Sequence, residues 1–200
     1  ARGGSKGVHR KNLRNLGGKP LIQWTIDEAE KSKYIDRIII STEDKEIEEV
    51  CKFLGVEVIK RPMELAGDDS PTIDSILYTL NLMENEENYF PDYAILLQCT
   101  SPFRRVTDID TAIETLLTKD KKYKSLISVT KEEHPPWWLK RISADGTLKD
   151  FLDYDKKQYS RRQSFPPLYR LNGAIYICSI DELKKCRSFE TDKTLAYVMD

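Results

Sequence analysis

Leu21, Ile22, Ile26 and Ala29 recur three and four residues apart, a spacing that predicts an amphipathic helix entered from Pro20, whose missing N–H costs nothing in a first helical turn. The β-branched run Ile38-Ile39-Ile40, closed by Ser41-Thr42, predicts a strand buried on both faces. Ile47, Val50 and Leu54 predict a second helix over 45–54, ended by Gly55, and a strand over 56–59 follows. Beyond a loop at 61–71, the stripe Ile73, Ile76, Leu77 and Leu80 predicts another helix, then an apolar strand over 93–97. Thr107 and Asp108 open a helix that runs to about Leu117, and 126–129 reads as the next strand. Such alternation predicts right-handed βαβ units, an α/β class and a mostly parallel sheet. Ligands of these sheets bind at the carboxyl ends of the strands, where Ser41-Thr42 and the segment 98–102 stand.

The period breaks down from Lys131. His134-Pro135-Pro136-Trp137-Trp138, the Asp145-Gly146 turn and a Lys-, Arg- and Tyr-rich stretch reaching Pro167 predict an excursion from the sheet, read as a hairpin arm over 131–167. An apolar run at 173–178, a short helix at 181–185 and a strand near 195–198 bring the chain back.

Two hundred residues with 40% hydrophobic content fit one domain with a sizeable core, or a domain with a small appendage. The net charge of −1 conceals a basic start: Arg2, Lys6, Arg10, Lys11, Arg14 and Lys19 precede the first acidic residue, Asp27. Charge of one sign with no acid nearby calls for an anionic partner, while the overall balance excludes a general nucleic-acid binder. No apolar run approaches the ~20 residues of a membrane span and no signal-peptide pattern is present, so a soluble, cytoplasmic protein is expected. Cys51, Cys99, Cys178 and Cys186 are scattered and predict four reduced thiols. His9 and His134 lie in different segments, which leaves little for a histidine metal centre or triad.

Gly3, Gly4 and Gly7 let successive N–H groups turn inward around an anion, and the flanking cations suit a polyphosphate. The stretch matches neither the phosphate loop of NTPases nor the dinucleotide fingerprint. A solvated basic turn is the plainer reading of the same residues.

The order of short blocks then resembles a known family. A-R-G-G-S-K-G-(x)3-K-N and G-K-P-L-I-x-W-T-I are followed by S-T-E-D at 41–44, R-P-x-E-L-A at 61–66, L-L-Q-x-T-S-P at 96–102 and Y-R-x-N-G-A-I-Y-I at 169–177. This resembles the acylneuraminate cytidylyltransferases across nearly the whole chain. The resemblance implies a three-layer, Rossmann-like nucleotidyltransferase fold with a protruding dimerisation arm. It also implies transfer from CTP to a nonulosonic (sialic-type) acid, giving a CMP-sugar and pyrophosphate, with Mg2+ and a cytoplasmic homodimer. Legionaminic, pseudaminic and Kdo-type acids are alternative substrates, and a non-catalytic nucleotide-binding domain is an alternative of another class.

On this basis Arg2 and Lys11 are expected in catalysis, and Arg2, Gly3, Ser5, Lys6, Gly7, Lys11, Asn12 and Thr72 at the nucleotide. The sugar is assigned to Gln98, Arg162, Tyr169, Arg170, Asn172 and Tyr176, the two arginines offering forks for the carboxylate. Plainer roles stand beside several of these: Asn12 as a turn cap, Thr72 as a helix cap, Tyr176 as a core tyrosine. Pro71, Cys99 and His9 depart from the family's usual residues. The resemblance puts a strand before Ala1 and the acidic metal pair beyond Asp200, so the chain is expected to lack both; Asp153 and Asp155 are read as solvated charge. Trp137 and Trp138 are read as local core or as a contact for a second copy.

Overall fold

The structure is a computed structural model and describes residues 1–153 and 165–199; Arg162 and Asp155 lie outside the described residues. β1 (Asn15–Leu16) and β2 (Lys19–Pro20) pair antiparallel, and helix α1 (Leu21–Glu30) starts directly after Pro20. β3 (Ile39–Thr42), α2 (Lys45–Phe53) and β4 (Glu57–Lys60) form a parallel βαβ unit with Thr42 opposite Lys60. Asp44 caps α2 by accepting the Ile47 N–H at 2.9 Å, which satisfies a donor the helix itself cannot and contributes about 1 kcal/mol. One core gathers Ile22 and Ile26 of α1, Ile47 and Cys51 of α2, and Val56. Each such aliphatic, once fully buried, contributes about 1.5–3 kcal/mol.

α3 (Thr72–Glu87), β5 (Tyr93–Leu96), α4 (Val106–Thr118) and β6 (Ser125–Lys131) continue the alternation. β7 (Lys140–Ile142) and β8 (Leu148–Asp150) are the hairpin expected around Asp145-Gly146, with Ile142 opposite Leu148. β9 (Tyr169–Ser179), α5 (Ile180–Cys186) and β10 (Thr194–Val198) follow. A second core joins Leu80, Ile127, Cys178, Leu183 and Phe189.

The larger sheet has the order β10-β6-β9-β5, and β5 runs antiparallel to β9 with Leu96 opposite Tyr176. The sheet is therefore mixed, where the alternation predicted mostly parallel pairing. Parallel neighbours need a crossover, and among the described residues no α-helix separates β6 from β9.

The residues group into two compact units, Ala1–Ser128 with Gly173–Tyr197, and Val129–Asn172 with Val198–Asp200. In the second, Trp137 stacks on Phe165 at 5.2 Å and Trp138 meets the same ring edge-on at 5.6 Å. The tryptophan pair thus finds aromatic company in its own chain, although Trp138 stays 42% exposed. All four cysteines are free. Burial pushes the Cys51 thiol up to about 11 and that of Cys178 up to about 12, whereas Cys186 is exposed and donates to Glu182 Oε1 at 3.2 Å. Among the described residues no helix is long and apolar enough to cross a membrane.

Candidate functional site

The glycine-rich loop is anchored from beneath by Glu43 and Arg61. These residues directly follow β3 and β4, and the register that sets Thr42 against Lys60 brings them side by side, with Arg61 N–H on the Thr42 carbonyl at 3.0 Å. Glu43 Oε1 accepts the Gly3 N–H at 2.8 Å, and its Oε2 accepts from Arg61 Nε and Nη2 at 3.0 and 2.7 Å. Arg61 also donates to the Ala1 carbonyl and to Ser75 Oγ, both at 3.1 Å. Burial raises the Glu43 carboxyl, but the Gly3 N–H and the Arg61 guanidinium outweigh it and hold the group below its ordinary value. Asn12, buried, donates from Nδ2 to the Arg2 carbonyl at 3.0 Å and so ties the loop across its base. Gly3 is required by close approach, since a Cβ there would lie 2.7 Å from Asp44 Cγ.

Folding supplies the acids that the sequence lacks near this loop. Asp68, from the loop after β4, accepts from Arg2 at 2.9 Å and pairs with Lys6 at 2.7 Å. Arg10 pairs with Asp44 and Glu46 at 2.9 and 2.5 Å. The expectation of unscreened charge is corrected: the acids come from 34 to 66 residues away. Lys6 first, then Arg2, holds the Asp68 carboxyl below its usual range. Lys11 sits in a short 3-10 helix, Lys11–Leu13, and makes no ion pair among the described residues. The Ser5 N–H is spent within the loop, on the Gly3 carbonyl at 3.0 Å, and Gly7 is exposed. Thr72 is the exposed first residue of α3 and makes no capping bond, so the capping reading falls; Pro71 holds that position. Arg61, Thr72 and Ser75 also line a cavity of about 540 Å³ whose remaining walls, including Ile40, Ile95 and Ile177, are largely aliphatic.

Gln98 directs its amide over β9. Thr100 Oγ1 donates to Gln98 Oε1 at 3.4 Å, and a Cβ on Gly173 (φ +73°) would stand 3.0 Å from that oxygen. Tyr176 packs its ring in the second core, edge-on to Phe189 at 5.9 Å, and desolvation raises its phenol. In the second unit Tyr169 is exposed, Arg170 Nε lies 3.5 Å from Glu132 Oε2, and Asn172 Nδ2 donates to Thr130 Oγ1 at 3.2 Å.

For a divalent cation the described residues offer no fitting set: no group of three or more His, Cys, Asp or Glu could hold one. The carboxylates nearest the glycine loop, Glu43, Asp44 and Asp68, are each committed to an arginine or lysine. Glu43, Asp68, Arg61 and Arg104 are the residues the sequence reading did not assign. A legible signal existed for the pair at 43 and 61: opposite charges within three residues of the ends of two β-branched runs that flank one helix.

A family described as cytidylyltransferase matches residues 1–196. The chain is 32% identical to an N-acylneuraminate cytidylyltransferase of Escherichia coli O18:K1:H7 over all of its own length, but spans only 46% of that relative. It is 36% identical to a CMP-N,N'-diacetyllegionaminic acid synthase of Legionella pneumophila, covering 97% of this chain and 82% of that one. Among solved structures, a CMP:2-keto-3-deoxy-manno-octonic acid synthetase complexed with CTP superposes with a TM-score of 0.69 at 18% identity, over 100% of this chain and 88% of that one. That likeness shows the α/β nucleotidyltransferase fold.

Proposed function

We propose that the chain, which belongs to the cytidylyltransferase family, transfers a cytidylyl group from CTP to a nonulosonic acid of sialic type. The anomeric hydroxyl oxygen of the sugar forms a bond to the α-phosphorus and gives up its proton to solvent, the α–β anhydride bond breaks, and pyrophosphate leaves. The observation that carries this reading is the glycine loop itself, which presents Arg2 and Lys6 from a backbone fixed by Glu43, Arg61 and Asn12. Once a phosphate has displaced Asp68 from these two cations, charge held on a fixed backbone stabilises a polyphosphate and its leaving group. Arg2, Lys6 and Lys11 are assigned to the triphosphate and Thr72 to the nucleoside. Gln98, Tyr176, Tyr169, Arg170, Asn172 and Arg162 are assigned to the sugar acid. Magnesium, which the family resemblance implies, is proposed as a requirement of the reaction. A legionaminic acid is the second substrate reading, favoured by the Legionella pneumophila relative.

A homodimer and a cytoplasmic setting belong to the same proposal. The hairpin β7–β8 supports the first, because it carries Ile142 and Leu148 opposite one another, 76% and 70% exposed, a pair that a second copy would cover. Sedimentation of the full-length protein as a monomer at micromolar concentration would remove that part.

Pyrophosphate release from CTP by the full-length protein, with sialic, legionaminic, pseudaminic and Kdo-type acids in turn, tests the reaction. Release with sialic or legionaminic acid is expected; no release with any of the four overturns the reading. In the same assay Arg2→Ala and Lys11→Ala should each lower turnover by orders of magnitude while leaving the fold intact.

A further inference from the structure

Arg104 closes the turn that follows β5. The turn itself is held by the Ser101 N–H on the Gln98 carbonyl at 3.2 Å and the Arg104 N–H on the Ser101 carbonyl at 3.4 Å. The residue is only 4% exposed, and Nη1 donates to the Ala174 carbonyl at 2.7 Å and the Gln98 carbonyl at 3.4 Å. Nε and Nη2 are buried without a partner among the described residues. Among the described residues no carboxylate bonds to it: Asp108 accepts the Arg105 N–H at 3.0 Å, and Glu28 accepts the Val106 N–H at 2.7 Å. Burial pulls the guanidinium down to about 10.

A buried, unpaired cation with two idle nitrogens is a costly way to hold a fold together, because an apolar side chain of similar bulk would avoid the desolvation. What the guanidinium does provide is a rigid link between two main-chain points. One is the carbonyl of Gln98; the other belongs to Ala174, the neighbour of Gly173, whose bare Cα underlies the Gln98 amide. Thr100 Oγ1 donates to the same amide oxygen.

We infer that Arg104 is a positioning residue for sugar selection: it pins the Gln98 main chain to Ala174 so that the Gln98 amide is presented at a fixed place to the hydroxyls of the sugar acid. The inference rests on the proposed assignment of Gln98 to the sugar. Lysine in its place can reach one of the two carbonyls, and methionine neither, so the pin should loosen in that order.

The test compares Arg104→Met and Arg104→Lys with the wild type, all as full-length proteins. Three quantities are read: KM for the sugar, KM for CTP, and hydrogen exchange of the amides at 98–104. Arg104→Met should raise the sugar KM by about tenfold or more and leave the CTP KM within about twofold, with Arg104→Lys between it and the wild type. Exchange should quicken at 98–104 in both variants and nowhere else. Equal rises in both KM values, no change in either, or loss of kcat alone overturns the inference, as does general unfolding of both variants, which would make Arg104 a fold residue. If the wild type transfers no cytidylyl group to any acid, the functional reading fails separately. Exchange at 98–104 then decides the pin by itself, and an unchanged rate refutes it.

Discussion

Arg61 Nη2 lies 2.7 Å from Glu43 Oε2, with 9% and 7% of the two side chains left exposed, and through this pair the ends of two parallel strands hold the first residues of the chain. Removing one partner leaves a buried charge uncompensated, a change that costs about 3–5 kcal/mol. Arg61→Ala should therefore lower thermal stability sharply, and calorimetry of the full-length protein checks it. Glu43→Gln keeps the shape but not the charge. Because folding lowers the Glu43 carboxyl, its contribution is present above the ordinary glutamate value of 4.5 and is lost as pH falls through the lower folded value. The stability difference between wild type and Glu43→Gln should be constant near neutrality and shrink below about pH 4.5, as denaturant titrations at successive pH values would reveal.

Gly3→Ala drives a methyl into Asp44. That carboxylate caps α2 and pairs with Arg10, so the variant should lose about 1 kcal/mol of capping and displace the loop that carries Arg2. A stability loss with a fall in turnover of two orders of magnitude or more is expected; wild-type turnover would show that the loop adapts.

Asp68 occupies Arg2 and Lys6, two of the three cations proposed for the triphosphate. A phosphate must displace it, so Asp68→Asn should lower the KM for CTP several-fold and make it fall more steeply with decreasing salt, because the unneutralised cations then attract the phosphates more strongly. Steady-state kinetics at two ionic strengths measure this, and a raised KM would instead make Asp68 a partner in nucleotide binding.

Gly173→Ala combines a left-handed backbone with contact on Gln98. A side chain at φ +73° costs roughly 1–2 kcal/mol, and a Cβ 3.0 Å from Oε1 must move the amide. The sugar KM should rise with the CTP KM unaffected, and a thermal melt should shift modestly downward.

Local pattern carried most of the elements. Ile22, Ile26 and Ala29 are buried on α1, and Ile47 on α2, because a stripe at helical spacing must find a core. Leu54 packs against the same core as Ile47, as expected, whereas in place of Val50 it is Cys51, next along the helix, that is fully covered. The direction of β9 was not legible, since nothing in a strand's own residues records which neighbour it meets. Asp68 escaped notice for a related reason: its meeting with Arg2 spans 66 residues, and no local period encodes it. Arg104 looked like any loop arginine, and only burial distinguishes it.

The four thiols, finally, divide by reach. Cys51 and Cys178 are shut in and held protonated far above neutrality, and Cys99 is half covered, which leaves Cys186 at the solvent-facing end of α5 as the sulfur an alkylating reagent meets first. A maleimide dye added briefly at neutral pH should thus mark one position in this stretch of chain. Fluorescence from that position would report on binding events without any engineered cysteine.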